Sequence, residues 1–219
     1  MPSKSDTLSK SKPIHEPHMD TPIDRRTLLL GVSFLAVAET GPCLAAPRVG
    51  AVMAAAGIAF LERNANRTPA AGGADVLLDD LALTGDASRM DLRLGRATRI
   101  KLGARSQLKI DRFIAGASAD VELLDGPAFI DHGPGAEPGF TLTSPYALIA
   151  ARGTGFFAGP SAGVFGVFVR NGRVDVRTRA GSVRLRAGEG TDIAAPGAAP
   201  TPPKRWGDPR IAAALASVS

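Results

Sequence analysis

The chain has very little of the side-chain chemistry on which most enzymes and metal proteins depend. Its 219 residues include one cysteine, one tryptophan, one tyrosine and three histidines. A single cysteine excludes an internal disulfide framework and a cysteine-based zinc site. His15 and His18 lie three residues apart in a polar stretch without further ligands beside them, which is typical of an incidental pair. We therefore predict no metal site and no cofactor.

Long hydrophobic runs are also missing. The apolar run at residues 27–38 has twelve residues, whereas a helix needs about 20 to span a bilayer. Arg25 and Arg26 directly precede this run, and small residues ending at Ala45 follow it, which resembles a twin-arginine export signal cleaved after Ala45. Cleavage there would also remove Cys43. The alternative is that the run stays uncleaved and anchors the chain in the inner membrane.

Composition divides the chain into three regions. Residues 1–46 are predicted to be an export signal peptide with a disordered polar n-region. Residues 47–195 are predicted to form one β domain, and residues 196–219 a proline-rich linker followed by a short helix. Asp208 and Pro209 suit the N-cap and the first position of that helix. Trp206, in the linker, either contacts a partner or packs back on the domain.

Alternating apolar and polar residues from Phe165 to Ala187 indicate β-strands. Asn171-Gly172 and Ala180-Gly181 interrupt the alternation, and both pairs suit two-residue hairpin turns. The two turns predict a three-strand antiparallel meander with one apolar face. The residues predicted to lie opposite one another are Val169 and Val174, Val167 and Val176, Val176 and Leu185, and Thr178 and Val183.

The same period of two recurs earlier in the chain. Met90 to Leu94 and Ile100 to Leu102 alternate cleanly, and glycine pairs or single glycines separate many such short runs. This pattern predicts an all-β fold of two stacked, mostly antiparallel sheets built from short hairpins. We expect a β-sandwich or jelly-roll-like arrangement with a short C-terminal helix.

The predicted meander turns a set of arginines away from its apolar face, together with Phe168. Such a face is either a solvated surface or a docking surface for an acidic protein or an anionic envelope component. The candidate partner-binding residues are Arg170, Arg173, Arg177, Arg179, Arg184 and Arg186. The predicted register places Arg170 opposite Arg173, Arg177 opposite Arg184, and Arg186 beside Asp175.

Two short strings imitate catalytic motifs. Residues 159–163 match the G-x-S-x-G pattern around Ser161, but a strand follows the serine where that motif needs a helix, and no histidine lies beyond it. Residues 153–158 resemble a dinucleotide fingerprint without its helix. His132, next to Asp131, is predicted to lie in a surface loop and to be structural. We predict turns between strands at both strings and no catalytic residue.

Several pieces in order resemble the FecR domain family: ARGTGFF, V-x-V-x-N-G-x-V-x-V and V-x-L-x-A-G-E-G, preceded by DDLALTGDASRMDLRLGRATRIKLGARSQLKI. The resemblance covers roughly residues 72–193. It implies a periplasmic β domain for sensing and protein contact, as in iron-citrate signalling through a membrane anti-sigma regulator, and it implies no catalysis.

These expectations combine into one preferred function and two alternatives. The preferred function is an exported periplasmic binding or sensing module that contacts another protein, in envelope or iron-uptake signalling, and does not bind nucleic acid. One alternative is an inner-membrane-anchored regulator of a sigma factor. The other is a hydrolase that uses Ser161 or His132.

Overall fold

The alternation of apolar and polar residues produces strands throughout the described part of the chain. The computed structural model describes residues 46–114, 118–133 and 139–219. The predicted export signal, with Arg25, Arg26 and Ala45, lies outside the described residues, so it stays a prediction. The first strands are β1 (Arg48–Ala56), β2 (Ala59–Arg63), β3 (Asn66–Pro69), β4 (Asp75–Leu77), β5 (Leu81–Thr84), β6 (Arg89–Leu94), β7 (Thr98–Leu102), β8 (Gln107–Ile114) and β9 (Ser118–Asp125).

The second half of the chain continues in the same way and ends in a helix. Its strands are β10 (Ala128–His132), β11 (Phe140–Thr143), β12 (Leu148–Ala151), β13 (Thr154–Ser161), β14 (Val164–Asn171), β15 (Arg173–Arg177), β16 (Ser182–Arg186), β17 (Glu189–Ile193) and β18 (Lys204–Arg205). The helix is α1 (Asp208–Ala216). None of the helices among the described residues is long and apolar enough to cross a membrane.

These strands form two large sheets, which we call the first and second sheet. In the described residues the first sheet has the order β18-β17-β14-β13-β10-β7-β6-β1-β4, and the second has the order β16-β15-β12-β11-β9-β8-β5-β2-β3. Neighbouring strands are antiparallel except β9 and β11. The chain tends to place one hairpin in one sheet and the next hairpin in the other. The predicted all-β class, with two mostly antiparallel sheets and a short C-terminal helix, is confirmed.

The inner faces of the two sheets form the main hydrophobic core. Leu92, Leu94, Ile100 and Leu102 are fully buried there, as the alternation of β6 and β7 predicts. Val167 and Val169 from the first sheet pack in the same core as residues of β15 and β16, namely Val174, Val176 and Leu185. The residues predicted to face inward therefore do so, although they come from two sheets.

The predicted hairpin at Asn171-Gly172 is wrong. The chain crosses there from β14 in the first sheet to β15 in the second, so Val169 is not paired with Val174. Gly172 has a positive φ of 86°, which suits a crossing as well as it suits a hairpin. A two-residue turn with positive φ at both positions occurs instead at Ala162-Gly163, between β13 and β14.

A buried hydroxyl fixes this crossing to a neighbouring one. Thr154, fully buried, lies where the chain passes from β12 to β13. Its Oγ1 is 2.9 Å from the carbonyl oxygens of both Arg152 and Arg173, and the Arg173 N–H donates to it at 3.2 Å. One hydroxyl proton can serve one carbonyl at a time, so the two bonds alternate. The Thr154 side chain therefore holds the two crossings side by side.

The hairpin predicted at Ala180-Gly181 is confirmed, but its register is different. The loop contains four residues, Thr178 to Gly181, because the Thr178 side chain accepts hydrogen bonds from the N–H groups of Ala180 and Gly181. The longer loop moves each pair by two residues, which keeps every side chain on its predicted face. The observed pairs are Val176 with Val183, Val174 with Leu185, Asp175 with Arg184, Arg173 with Arg186, and Arg177 with Ser182.

The C-terminal segment packs on the outer face of the first sheet. Trp206 is buried against Gly166 and Gly190, where a side chain on either glycine would collide with the indole ring. Phe168, predicted to face solvent, is buried beneath this ring at a centroid distance of 5.3 Å. Phe129 and Phe157 join the same small core, which residues of α1 cover. Gly207 is the N-cap of the helix, one residue before the predicted Asp208.

One arginine of α1 fastens this segment to the sheet. The Arg210 guanidinium stacks on Trp206 at 3.7 Å and binds Asp192 at 2.6 Å. Lys204 also reaches Asp192, at 2.8 Å. Burial by itself would raise the pKa of Asp192, but hydrogen bonds from Arg210 and Lys204 outweigh burial and hold the pKa below its ordinary value. The ionised carboxylate therefore stabilises the packed segment.

Replacing Gly172 with Ala should destabilise the fold by about 1–3 kcal/mol. An added Cβ would lie 2.7 Å from the Gly153 carbonyl oxygen, in addition to the strain of a positive φ. Gly163→Ala is the matched control, since Gly163 has a positive φ of 79° and open space around its Cβ position. Urea unfolding should show a smaller loss for the control, and equal losses would contradict the close contact at Gly172.

The stability of the C-terminal packing should depend on pH through Asp192. Because the folded-state pKa is depressed, the carboxylate contributes stability above its unfolded pKa of about 3.9, and this contribution disappears as the pH falls through the folded pKa. Fluorescence of Trp206, the only tryptophan in the sequence, reports the packing directly. Asp192→Asn should lower the urea midpoint at pH 7 and flatten its acid dependence, whereas Asp208→Asn should leave the acid dependence in place.

Candidate partner-binding surface

The outer face of the second sheet carries a concentration of arginines on β15, β16 and the end of β12. The buried residues of these strands alternate with exposed ones, so every second side chain points away from the core. We call this set the arginine surface. Its members, all exposed, are Arg152, Arg173, Arg177, Arg184 and Arg186.

Three of these arginines form a row across neighbouring strands. Arg173 and Arg186 are direct partners in the β15–β16 register. Arg152 directly follows Ala151, and the partner of Ala151 on β15 is Val174, which directly follows Arg173. Arg152 therefore lies next to Arg173, and both carbonyl groups are within hydrogen-bond distance of Thr154 Oγ1. Like charges directly opposite each other destabilise a sheet by roughly 0.2–1 kcal/mol per pair. The direct pair of Arg173 and Arg186 is thus an unfavourable arrangement that an anion would relieve.

A shallow concavity of about 500 Å³ lies among these arginines. Its lining includes the small residues Gly139 and Ala150, and its charged groups are three arginines and one carboxylate, namely Arg152, Arg173, Arg184 and Asp175. Small residues in the middle of a sheet face leave room for side chains of another molecule. The concavity is therefore suited to carboxylate groups, which arginine binds through two parallel hydrogen bonds.

One arginine of the surface already has a carboxylate partner on the neighbouring strand. Arg184 binds Asp175 with an Nε–Oδ1 distance of 2.6 Å, and this hydrogen bond raises the pKa of Arg184 above its ordinary value. The predicted pairs of Arg177 with Arg184 and of Arg186 with Asp175 are therefore wrong, because the four-residue turn shifts the register. Within the described part of the chain, the guanidinium groups of Arg173, Arg177 and Arg186 have no carboxylate partner.

The first sheet shows a different distribution of charge on its outer face. Arg93 and Arg99 are also direct partners there, on β6 and β7. Arg99, however, has Asp131 as its other neighbour, and Asp91 lies opposite Lys101. Carboxylates are thus interspersed with the cations of the first sheet. On the second sheet, Arg173 and Arg186 lie opposite each other without a carboxylate partner among the described residues.

Two of the six predicted partner-binding arginines do not belong to this surface. Arg170 lies on β14 of the first sheet, with its guanidinium carbon 5.5 Å from the centre of the Phe129 ring. It therefore does not face Arg173, and the reason is the crossing at Asn171-Gly172. Arg179 lies in the β15–β16 turn beside Gly197. Arg152 was missed by the sequence prediction, because the strand neighbours of β12 cannot be read from local alternation.

The structure separates the two residues of the hydrolase alternative. His132 is a buried residue at the end of β10, not part of a surface loop, and its Nδ1 is 2.9 Å from Thr98 Oγ1. The strand partner of His132 is Thr154, the first residue of β13. Ser161 is the last residue of β13, about 23 Å from Thr154 at a rise of about 3.3 Å per residue. The Ser161 hydroxyl accepts a hydrogen bond from Arg210 Nε at 3.0 Å. Ser161 therefore takes part in holding the C-terminal segment.

The predicted turn at residues 159–163 is confirmed at Ala162-Gly163, whereas residues 154–158 are part of a strand, so the turn predicted at residues 153–158 is wrong. Residues 154–161 form the strand β13, so neither string opens a helix. Among the described residues, no three His, Cys, Asp or Glu side chains gather closely enough to hold a metal ion.

The chain is similar to known proteins in part of its sequence and in its fold. The model of the family described as FecR protein matches residues 80–184. No curated protein matches the chain. Two solved structures of a proposed anti-sigma factor from Parabacteroides distasonis ATCC 8503 match the fold, each with a TM-score of 0.54 and 18% sequence identity.

The match to these structures is partial in both directions. It covers 62% of this chain and 64% of one matched chain and 63% of the other, less than two thirds of either. At 18% identity the likeness shows the fold alone. The FecR match includes most of the arginine surface but ends at residue 184, before Arg186. Residues 80–184 are therefore similar in sequence to the FecR family, and the two-sheet domain that contains them is similar in fold to the proposed anti-sigma factor.

Proposed function

We propose that this protein is a FecR-like regulatory module that acts by binding an acidic protein partner and not by catalysis. The observation that carries the proposal is the direct pairing of Arg173 with Arg186 on the second sheet, where neither guanidinium has a carboxylate partner among the described residues. A partner that places carboxylates on this pair would relieve the repulsion between Arg173 and Arg186. The energy gained on binding would then exceed that of an isolated surface ion pair, which is about 0–1 kcal/mol.

The match to the FecR family supports a regulatory role for the binding. A fold shared with a proposed anti-sigma factor is consistent with that role. We further propose that the chain is exported to the periplasm and serves envelope or iron-uptake signalling. The support for export is the sequence pattern of Arg25, Arg26 and Ala45 around an apolar run that is short for a membrane anchor.

Replacing Arg173, Arg177 and Arg186 with Ser should weaken binding of the partner about tenfold or more. Three guanidinium groups without carboxylate partners would be lost, while Arg184 and Asp175 would remain paired. The control is the triple change of Arg93, Arg99 and Lys101 to Ser, which removes the same charge from the first sheet. Circular dichroism should show an unchanged β spectrum for both variants. Binding measured by titration should weaken with salt for the wild type and the control.

The partner can be captured by a photo-crosslinking amino acid placed at Leu148. This side chain is 42% exposed and lies opposite Arg177 on the second sheet. Met53, 45% exposed on β1 of the first sheet, is the matched control position. We expect an acidic protein to crosslink from position 148 and not from position 53. We expect no such crosslink when Arg173, Arg177 and Arg186 are also changed to Ser, which we call the arginine-surface variant. A crosslink to an anionic polymer, or equal binding by both triple variants, would overturn the proposal.

Export can be tested through the paired arginines. Changing Arg25 and Arg26 to Lys should leave uncleaved precursor in the cytoplasm, because the twin-arginine route depends on both guanidinium groups. Cell fractionation and N-terminal sequencing measure the outcome, with a wild-type mature chain expected to begin at Ala46. A wild-type chain that stays in the membrane with its N-terminus intact would favour the anchored alternative.

A further inference from the structure

The arginine surface ends at an open edge of the second sheet. The strand β16 forms this edge, and it is the longest edge strand among the described residues. It has five residues, whereas the other edge strands β3, β4 and β18 have four, three and two. Sheet edges present unpaired N–H and C=O groups, and proteins usually keep them short for this reason.

The register shows which backbone groups of β16 point outward. The N–H of Thr178 donates to the carbonyl of Gly181, so residue 181 turns its backbone groups toward β15. In an antiparallel pair this direction alternates with every residue. Val183 and Leu185 therefore bond to β15, while the N–H and C=O groups of Ser182, Arg184 and Arg186 point away from the sheet.

One of these outward groups confirms the alternation. The N–H of Arg186 donates to Glu189 Oε2 at 2.8 Å, and so it is directed away from β15. The outward N–H of Arg186 is therefore already hydrogen-bonded and is not available to an added strand. Among the hydrogen bonds of the described residues, none uses the backbone N–H or C=O of Ser182 or Arg184, and both residues are exposed. The open part of the edge is therefore the stretch from Ser182 to Arg184.

The surroundings of this stretch determine which peptide fits it. On the outer side, an added strand would lie next to Arg186, whose guanidinium has no carboxylate partner among the described residues, and next to Arg184, which is paired with Asp175. Arg173 and Arg177 lie one strand away. Carboxylates are the complementary groups there. On the inner side, half-buried Val183 packs against the main core, so apolar side chains are favoured. A segment with alternating acidic and apolar residues meets both conditions.

We propose that β16 accepts an extended acidic segment of the partner as an added antiparallel strand. The inference rests on the proposed function, because it specifies how the arginine surface holds its acidic partner. Main-chain hydrogen bonds to Ser182 and Arg184 supply the geometry, and the alternate acidic side chains supply the selectivity. In this arrangement the acidic residues of the added strand lie opposite Ser182 and Arg184, and their N–H groups point toward β16.

A synthetic eight-residue peptide of alternating Glu and Val, labelled for fluorescence anisotropy, is the probe. We expect it to bind the intact protein, and we expect a peptide with Lys in place of Glu not to bind. N-methylation of the Glu residues removes the N–H groups that face β16 and should weaken binding at least tenfold. N-methylation of the Val residues blocks the opposite edge of the peptide and should change binding less than about threefold.

A change on the protein side completes the test. Ser182→Pro removes one outward N–H at the start of an edge strand, where proline is tolerated, and should weaken binding about tenfold. Ser182→Ala keeps the N–H and should bind like the wild type, and thermal unfolding checks that both variants fold. If the proline variant does not fold, the methylated peptides decide the question.

The outcomes separate this inference from the proposed function. Equal binding of both methylated peptides and the unmethylated peptide, together with weak binding by the arginine-surface variant, would overturn strand addition and leave the acidic partner in place. Equal binding of the Glu and Lys peptides would overturn both. Failure of the Glu peptide to bind, while the crosslinked acidic protein still binds through Arg173, Arg177 and Arg186, would also overturn strand addition.

Discussion

The hydrogen bonds of the Thr154 hydroxyl connect the architecture of this domain to its surface. Because hairpins alternate between sheets, the chain must pass repeatedly from one sheet to the other, and each passage leaves backbone polar groups that need partners. At the passages beside Arg152 and Arg173, the buried Thr154 side chain satisfies these groups. The same bonds fix the spacing of Arg152 and Arg173. The need to satisfy these backbone groups thus brings the side chains of Arg152 and Arg173 close together.

The residues that face the core were predictable from the sequence, whereas the sheet to which they belong was not. Period-two alternation identifies the inner face of a strand, and Val167, Val169, Val174, Val176 and Leu185 are all fully buried. At Gly172, however, a positive φ satisfies a hairpin and a crossing between sheets equally well. The choice depends on the position of β13 and β12 as neighbours of β14 and β15, which is a non-local property.

The same reasoning explains the mixed result for the arginine surface. Alternation placed the arginines of β15 and β16 outside, but local turn chemistry decided their partners. The Thr178 side chain lengthens the turn to four residues, and the shift brings Arg184 to Asp175 and Arg186 to Arg173. Phe168 followed its alternation to the outer face and was nevertheless buried, because Trp206 and α1 cover it. A cover from a distant part of the chain cannot be read from the strand itself.

The alternation of hairpins between the sheets has a consequence for how such a domain can change in length. Within each sheet, a hairpin pairs mainly with the hairpins added just before and just after it along the chain. The sandwich therefore grows from one end, as repeat proteins do, and its interior does not depend on the total number of strands. Adding or removing one hairpin from each sheet would preserve every remaining inner face. It would change which strand forms the terminal edge, and with it the chemical character of the surface presented there.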